Sequence, residues 1–236
     1  MKPVVKTLAW VTLFSVAMAF LESAVVIYLR ELYYPNGFSF PLMPVPPHIG
    51  RVEFVRELAT IIMLVGCGVL AGRTALQRFA YFALAFAVWD VFYYVFLYVC
   101  ISWPQSLSEW DILFLVPLPW VGPVWAPCLV SLLMATGAVY VVLKTESTPS
   151  YRVRAAEWIV MLAGVMVCMI SFMWDYLVYT AGQGNIWLLY SSRDMFDEMK
   201  SYVPKVFNQL LFYTGFGLMC MALFINIIHH KKQQTK

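Results

Sequence analysis

Residues 79–101 read FAYFALAFAVWDVFYYVFLYVCI, and Asp90 is the one charged residue in the stretch. An apolar run of 18 or more residues is long enough to cross the ~30 Å hydrocarbon core of a bilayer as a helix. Working outward from it, similar runs lie at approximately 8–29, 54–71, 121–143, 155–180 and 206–228, making six in all. The 236 residues are 62% hydrophobic and only 12% charged, with a mean hydropathy of +0.74. A soluble domain carries about twice that share of charge. The predicted fold is therefore all-α: a polytopic bundle of about six transmembrane helices forming one domain over residues 1–236. Composition excludes a disordered chain, a secreted disulfide scaffold and an ordinary cytosolic enzyme.

The first run follows Lys2 and Lys6, and its Ala17-Met18-Ala19 resembles the end of a signal peptide. The apolar run continues through Leu29, however, so an uncleaved first helix is expected. Lysine and arginine outside the spans set the orientation. With the N-terminus inside, ten fall on the inner side: Lys2, Lys6, Arg73, Arg78, Lys144, Arg152, Arg154, Lys231, Lys232 and Lys236. Six fall outside: Arg30, Arg51, Arg56, Arg193, Lys200 and Lys205. The outer acids are Glu31, Glu53, Glu109, Asp111, Asp194, Asp197 and Glu198, and the inner ones Glu146 and Glu157. Both termini are expected on the cytoplasmic face of a plasma (inner) membrane.

Two segments interrupt this plan. Residues 34–48 contain Pro35, Pro41, Pro44, Pro46 and Pro47, and residues 112–127 contain Pro117, Pro119, Pro123 and Pro127. Proline disrupts a helix interior. Non-helical backbone at membrane depth survives only against protein or a wet cavity. These segments are predicted to be interfacial or re-entrant pieces on the outer side. They would serve as loops in an aromatic belt or as a cap over a pocket.

An ionisable residue near a helix centre costs ~2.5–3.5 kcal/mol on insertion scales, and those that persist face the bundle interior. Four acids stand out: Asp90 near mid-span, Asp175 and Glu22 toward the outer ends of their spans, and Glu57 in the outer turns of the second. Asp90 and Asp175 share a motif, Trp89-Asp90-x-x-x-Tyr94 and Trp174-Asp175-x-x-x-Tyr179. Spacing of i, i+4 puts each Asp and Tyr on one helix face. A third pair, Trp110-Asp111, opens the second proline-rich segment and lacks the tyrosine. The predicted ligand-binding set is Asp90, Asp175, Tyr94, Tyr179, Glu22 and Glu57. Hard oxygen ligands suit Mg²⁺, Ca²⁺ or Mn²⁺, and Glu22 and Glu57 with His48 would suit iron or zinc. Against iron, no Glu-x-x-His occurs on any span.

Three functions fit this set. The favoured one is binding of a cation or small amphiphilic, lipid-like ligand at an outer-leaflet carboxylate and tyrosine cavity, with transport as one use. The second is a non-catalytic membrane subunit of a larger complex, its acids paired with Arg30, Arg56 or tyrosines and its surface partnered by other membrane proteins. The third is an intramembrane enzyme using carboxylate acid/base chemistry on a lipid-soluble substrate. No phosphate loop, G-x-S-x-G elbow or HExxH occurs, and no basic stripe interleaved with aromatics points to nucleic acid. The five cysteines lie in separate apolar stretches and form no CxxC pair. Glycine spacing offers one close approach, Gly68–Gly72, which is packing and not chemistry.

Overall fold

A computed structural model describes residues 3–43, 45–114, 118–148, 150–182 and 199–234, with backbone alone for 231–234. Of the residues weighed above, Lys2, Pro44, Pro117, Arg193, Asp194, Asp197, Glu198 and Lys236 lie outside this set. Among the described residues, six helices are long and apolar enough to cross a membrane. They are α1 Pro3–Tyr33, α2 Pro47–Ala71, α3 Ala75–Ile101, α4 Trp125–Ser147, α5 Ala155–Gly182 and α6 Gln209–Gln234. Most extend beyond their apolar runs, because helix ends continue into polar residues that cap or flank the span; α4 and α6 instead begin inside theirs, residues 121–123 forming a strand and 206–208 lying before the helix.

The prolines act at helix starts. Pro47 opens α2 and Pro127 sits in the first turn of α4, where a missing N–H is not required. At α3 the cap is Thr74, whose hydroxyl accepts from the Gln77 backbone N–H at 3.2 Å.

α3 is the central helix, packed against α1, α2 and α4. Its buried face is largely small: Ala80, Ala83, Ala85 and Ala87 let neighbouring backbones approach closely. Ser23 of α1 exploits this, donating to the Tyr93 carbonyl of α3 at 3.1 Å. At the expected Gly68–Gly72 contact, a Cβ on Gly68 would lie 2.5 Å from the Arg78 carbonyl oxygen. α5 packs chiefly on α6 through a crossing that the spacing search did not reveal. A Cβ on Gly164 would lie 2.7 Å from the Gly215 carbonyl oxygen, so only glycine permits this separation.

The second proline-rich segment is not a broken helix. It folds as an antiparallel hairpin, β1 Trp110–Phe114 with β2 Trp120–Pro123, pairing Asp111 with Gly122 and Ile112 with Val121. Pairing satisfies backbone groups that lipid would leave bare. Gly122 lets the hairpin dock, since a Cβ there would meet Phe172 of α5 at 3.1 Å and Phe207 at 3.2 Å. The hairpin marks one end of the bundle, with the starts of α2, α4 and α6 beside it. The opposite, terminal end holds the starts of α1, α3 and α5. There a buried network joins α5 to α6: the Tyr151 hydroxyl donates to Asn226 at 2.6 Å, and Asn226 donates to Glu157 at 2.7 Å.

Candidate functional site

Below the hairpin end, α1, α2, α3, β1 and the segment joining α1 to α2 line a partly open cavity of about 190 Å³. That is room for about six waters at ~30 Å³ each. Asp90 at its floor lies eleven residues before the end of α3, about 16 Å along the helix axis. Seven acidic or basic side chains line the cavity: Glu22, Arg30, Glu53, Arg56, Glu57, Asp90 and Asp111. Aromatic rings, among them Tyr34, Phe38, Trp89, Tyr93 and Tyr94, and aliphatic residues of α1 and the hairpin make up much of the remaining wall.

Each charge is placed by its element. Glu22 and Glu57 stand on facing helices because α1 and α2 cross here. Arg56 bridges them in part, pairing with Glu22 across the helices and with Glu53 one turn earlier on α2. Glu57 is 8% exposed and Thr60, one turn deeper, lines the same wall. Asp90 accepts a hydrogen bond from Ser131 of α4 at 2.8 Å. The i, i+4 geometry predicted Tyr94 as its partner, but the Tyr94 phenol instead interacts with the carboxyl of Asp111. The reason is topological. The hairpin carries Asp111 back over the end of α3, closer to the phenol than the midspan acid.

Arg30 ends the last turn of α1 and turns inward. Its guanidinium lies 3.7 Å from the Trp103 ring centroid and 4.5 Å from that of Phe38, and 3.4 Å from Asp111. Stacking shields the cation and holds it in place. Burial, opposed by the adjacent Arg30, pushes the Asp111 carboxyl up to about 6.

Three polar atoms in this wall have no hydrogen-bond partner among the described residues: Nη1 of Arg30, Nε1 of Trp89 and Oδ2 of Asp111. Their residues are 8%, 7% and 3% exposed. Buried polar groups are nearly always satisfied, so three orphans converging on one cavity call for something polar inside it.

Four members of the predicted set line this cavity together: Glu22, Glu57, Asp90 and Tyr94. Asp175 and Tyr179 do not line it. The Asp175 carboxylate accepts from the Tyr202 hydroxyl at 2.8 Å and from the backbone N–H groups of Lys205 and Val206 at 3.1 and 3.0 Å. It is a clamp on the segment leading into α6. Burial and the neighbouring Asp175 push the Tyr202 phenol well above its ordinary range. Tyr179 pairs with Ser201 at 2.8 Å. The matching tryptophans diverge too: Trp89 is buried in the cavity wall, whereas Trp174 is 41% exposed. His48 is exposed at the start of α2 and does not line the cavity. Among the described residues no group of three His, Cys, Asp or Glu side chains is placed to hold a metal ion.

Sequence reading missed Asp111 as a site residue, counting it as a surface charge, and offered Arg30 only as an outer charge or a pairing partner for the buried acids. The signal for Asp111 was present in its Trp110-Asp111 pair, the same dipeptide that marks Asp90. No protein-family model, curated protein or solved structure matches this chain.

Proposed function

We propose that this multi-pass membrane protein binds a small cation or amphiphilic ligand in the cavity between α1, α2, α3 and β1. The hairpin end would face outward and both termini the cytoplasm of a plasma membrane. The three unpartnered buried atoms on Arg30, Trp89 and Asp111 carry the reading. Trp120 Nε1 and Glu157 Oε1 also lack a hydrogen bond among the described residues, but they stand apart, whereas three such atoms meet at this one cavity; the Asp175 carboxylate, by contrast, is satisfied within the protein. Glu22, Glu57, Asp90 and Tyr94 contribute the remaining polar surface. The lysine and arginine count supports the orientation.

The test is native mass spectrometry of the protein released gently from its membrane. Wild type should retain a small adduct that Trp89→Phe and Asp111→Asn lose. An adduct equally retained by both variants would place binding elsewhere. A non-catalytic membrane subunit draws its support from Asp175, fully engaged in clamping the chain. That reading predicts no such adduct and instead a stable co-purifying membrane protein.

A further inference from the structure

The cavity charges do not balance. The seven acidic and basic side chains of its lining comprise five carboxyls and two guanidiniums, more acids than cations. Water can satisfy orphaned hydrogen-bonding atoms but does not neutralise charge, and uncompensated charge in a buried space is strongly disfavoured. An occupant that brings positive charge therefore suits this lining better than a neutral or anionic one. A bare metal ion would supply that alone. It would leave the indole N–H of Trp89 and Nη1 of Arg30 without an acceptor, since both are donors only. Asp111 Oδ2 is the complementary atom: the Tyr94 phenol lies near the carboxyl, but no donor among the described residues stands at hydrogen-bond distance from this oxygen.

We infer that the ligand is a small ammonium ion that also carries a hydrogen-bond-accepting oxygen, an amino alcohol or its close equivalent. The N–H groups of the ammonium donate to Asp111 and bring charge toward the carboxyl excess. The oxygen accepts from Trp89 or Arg30. Arg30 is fixed against Trp103 and Phe38, so it presents its free edge without rearranging. Tyr34 and Tyr93 also line the cavity, and aromatic rings favour a cation. The volume admits a ligand of several heavy atoms, but not a whole lipid. The ligand is thus either a free amine or the amino headgroup of a lipid whose tails remain outside.

This inference rests on the cavity being a binding site, and its test separates the two ideas. Purified full-length protein in detergent is titrated with four probes by equilibrium dialysis: ethanolamine, propylamine, ethylene glycol and glycolate. Ethanolamine has both features, propylamine lacks the oxygen, ethylene glycol lacks the cation and glycolate reverses the charge. Saturable ethanolamine binding is expected, at least tenfold tighter than propylamine, with no saturable binding of the other two. Trp89→Phe and Asp111→Asn should each weaken ethanolamine at least tenfold, while Tyr151→Phe at the terminal end should leave it unchanged.

The lipid source is distinguished in nanodiscs of matched acyl chains. Phosphatidylethanolamine competing with free ethanolamine, where phosphatidylcholine does not, assigns the headgroup; no competition by either assigns the free amine. Equal affinity for ethanolamine and propylamine would overturn the chemical class. So would binding of glycolate in preference to either amine. If no probe binds while a natural adduct still depends on Trp89 and Asp111, the ligand class fails and the cavity reading stands. If neither binds nor any adduct is found, both fall.

Discussion

Replacing Arg56 by methionine separates the electrostatic account of the α1–α2 contact from a purely apolar one. Arg56 holds Glu22 across the helices and Glu53 on its own helix, with side chains only 20%, 12% and 19% exposed. Methionine keeps much of the arginine stem but strands the Glu22 carboxylate. Removing one member of a buried pair costs ~3–5 kcal/mol, and an exposed pair is worth about 0–1 kcal/mol. Partial exposure places this pair nearer the buried limit, at about 2–4 kcal/mol. For a chain of this length each kcal/mol shifts Tm by about 2–4 °C, so Arg56→Met should melt roughly 5–15 °C lower. Glu22→Gln alone leaves Arg56 its second partner and should lose less. The double variant strands no carboxylate at position 22 and should recover part of the loss, with a coupling of ~1–3 kcal/mol. Thermal unfolding in detergent, followed by tryptophan fluorescence, closes the cycle. If the losses of the two single variants simply add, the pair does not couple the helices and the reasoning fails.

Gly164→Val should disrupt the α5–α6 crossing and lower Tm by several degrees or prevent folding. Gly217→Val should be mild, because a Cβ there meets nothing within 4 Å; equal effects would refute the packing assignment. Asp175→Asn weakens a carboxylate bond to Tyr202 and two backbone contacts, and should lose ~1–3 kcal/mol of stability without changing ligand retention in the cavity. Asp111 supplies a pH dependence of defined sign. With its folded value near 6 against an ordinary 3.8, the folded chain binds more protons between about pH 6 and 4. This group's contribution therefore increases stability as pH falls through that window, by at most about 3 kcal/mol. Arg30, Tyr94 and Asp90 are the charged and titratable neighbours facing it. Subtracting the Asp111→Asn profile from wild type isolates the effect, and a difference of the opposite sign would refute the assigned environment.

The six spans were legible because the bilayer imposes a length and a polarity that a window of sequence measures directly. Glu22, Glu57 and Asp90 were legible for the same reason: an acid inside an apolar run has few explanations. Asp111 was hidden because a short hairpin returned it to the bundle. Hydropathy places such a residue outside, and strand pairing across five intervening residues leaves little periodic signal. Asp175 shows the converse. Its local motif matches that of Asp90, and helical spacing fixes which residues share a face. What that face meets depends on the partner: Ser131 of α4 for Asp90, and the segment before α6 for Asp175. The Gly164–Gly215 crossing is equally invisible to spacing along one helix, since each member lies on a different one.

The crossing also bears on biosynthesis. α5 and α6 meet each other far more extensively than they meet the first four helices, and their contact lies in complementary backbone surfaces. Such a pair can associate as an independent hairpin once inserted, then dock through Gly122 and the rings of Phe172 and Phe207. Severing the connection between α4 and α5 should therefore yield two fragments that reassemble when co-expressed. The cavity between α1, α2, α3 and β1 lies wholly in the earlier fragment, so its walls are synthesised before the ribosome completes the chain.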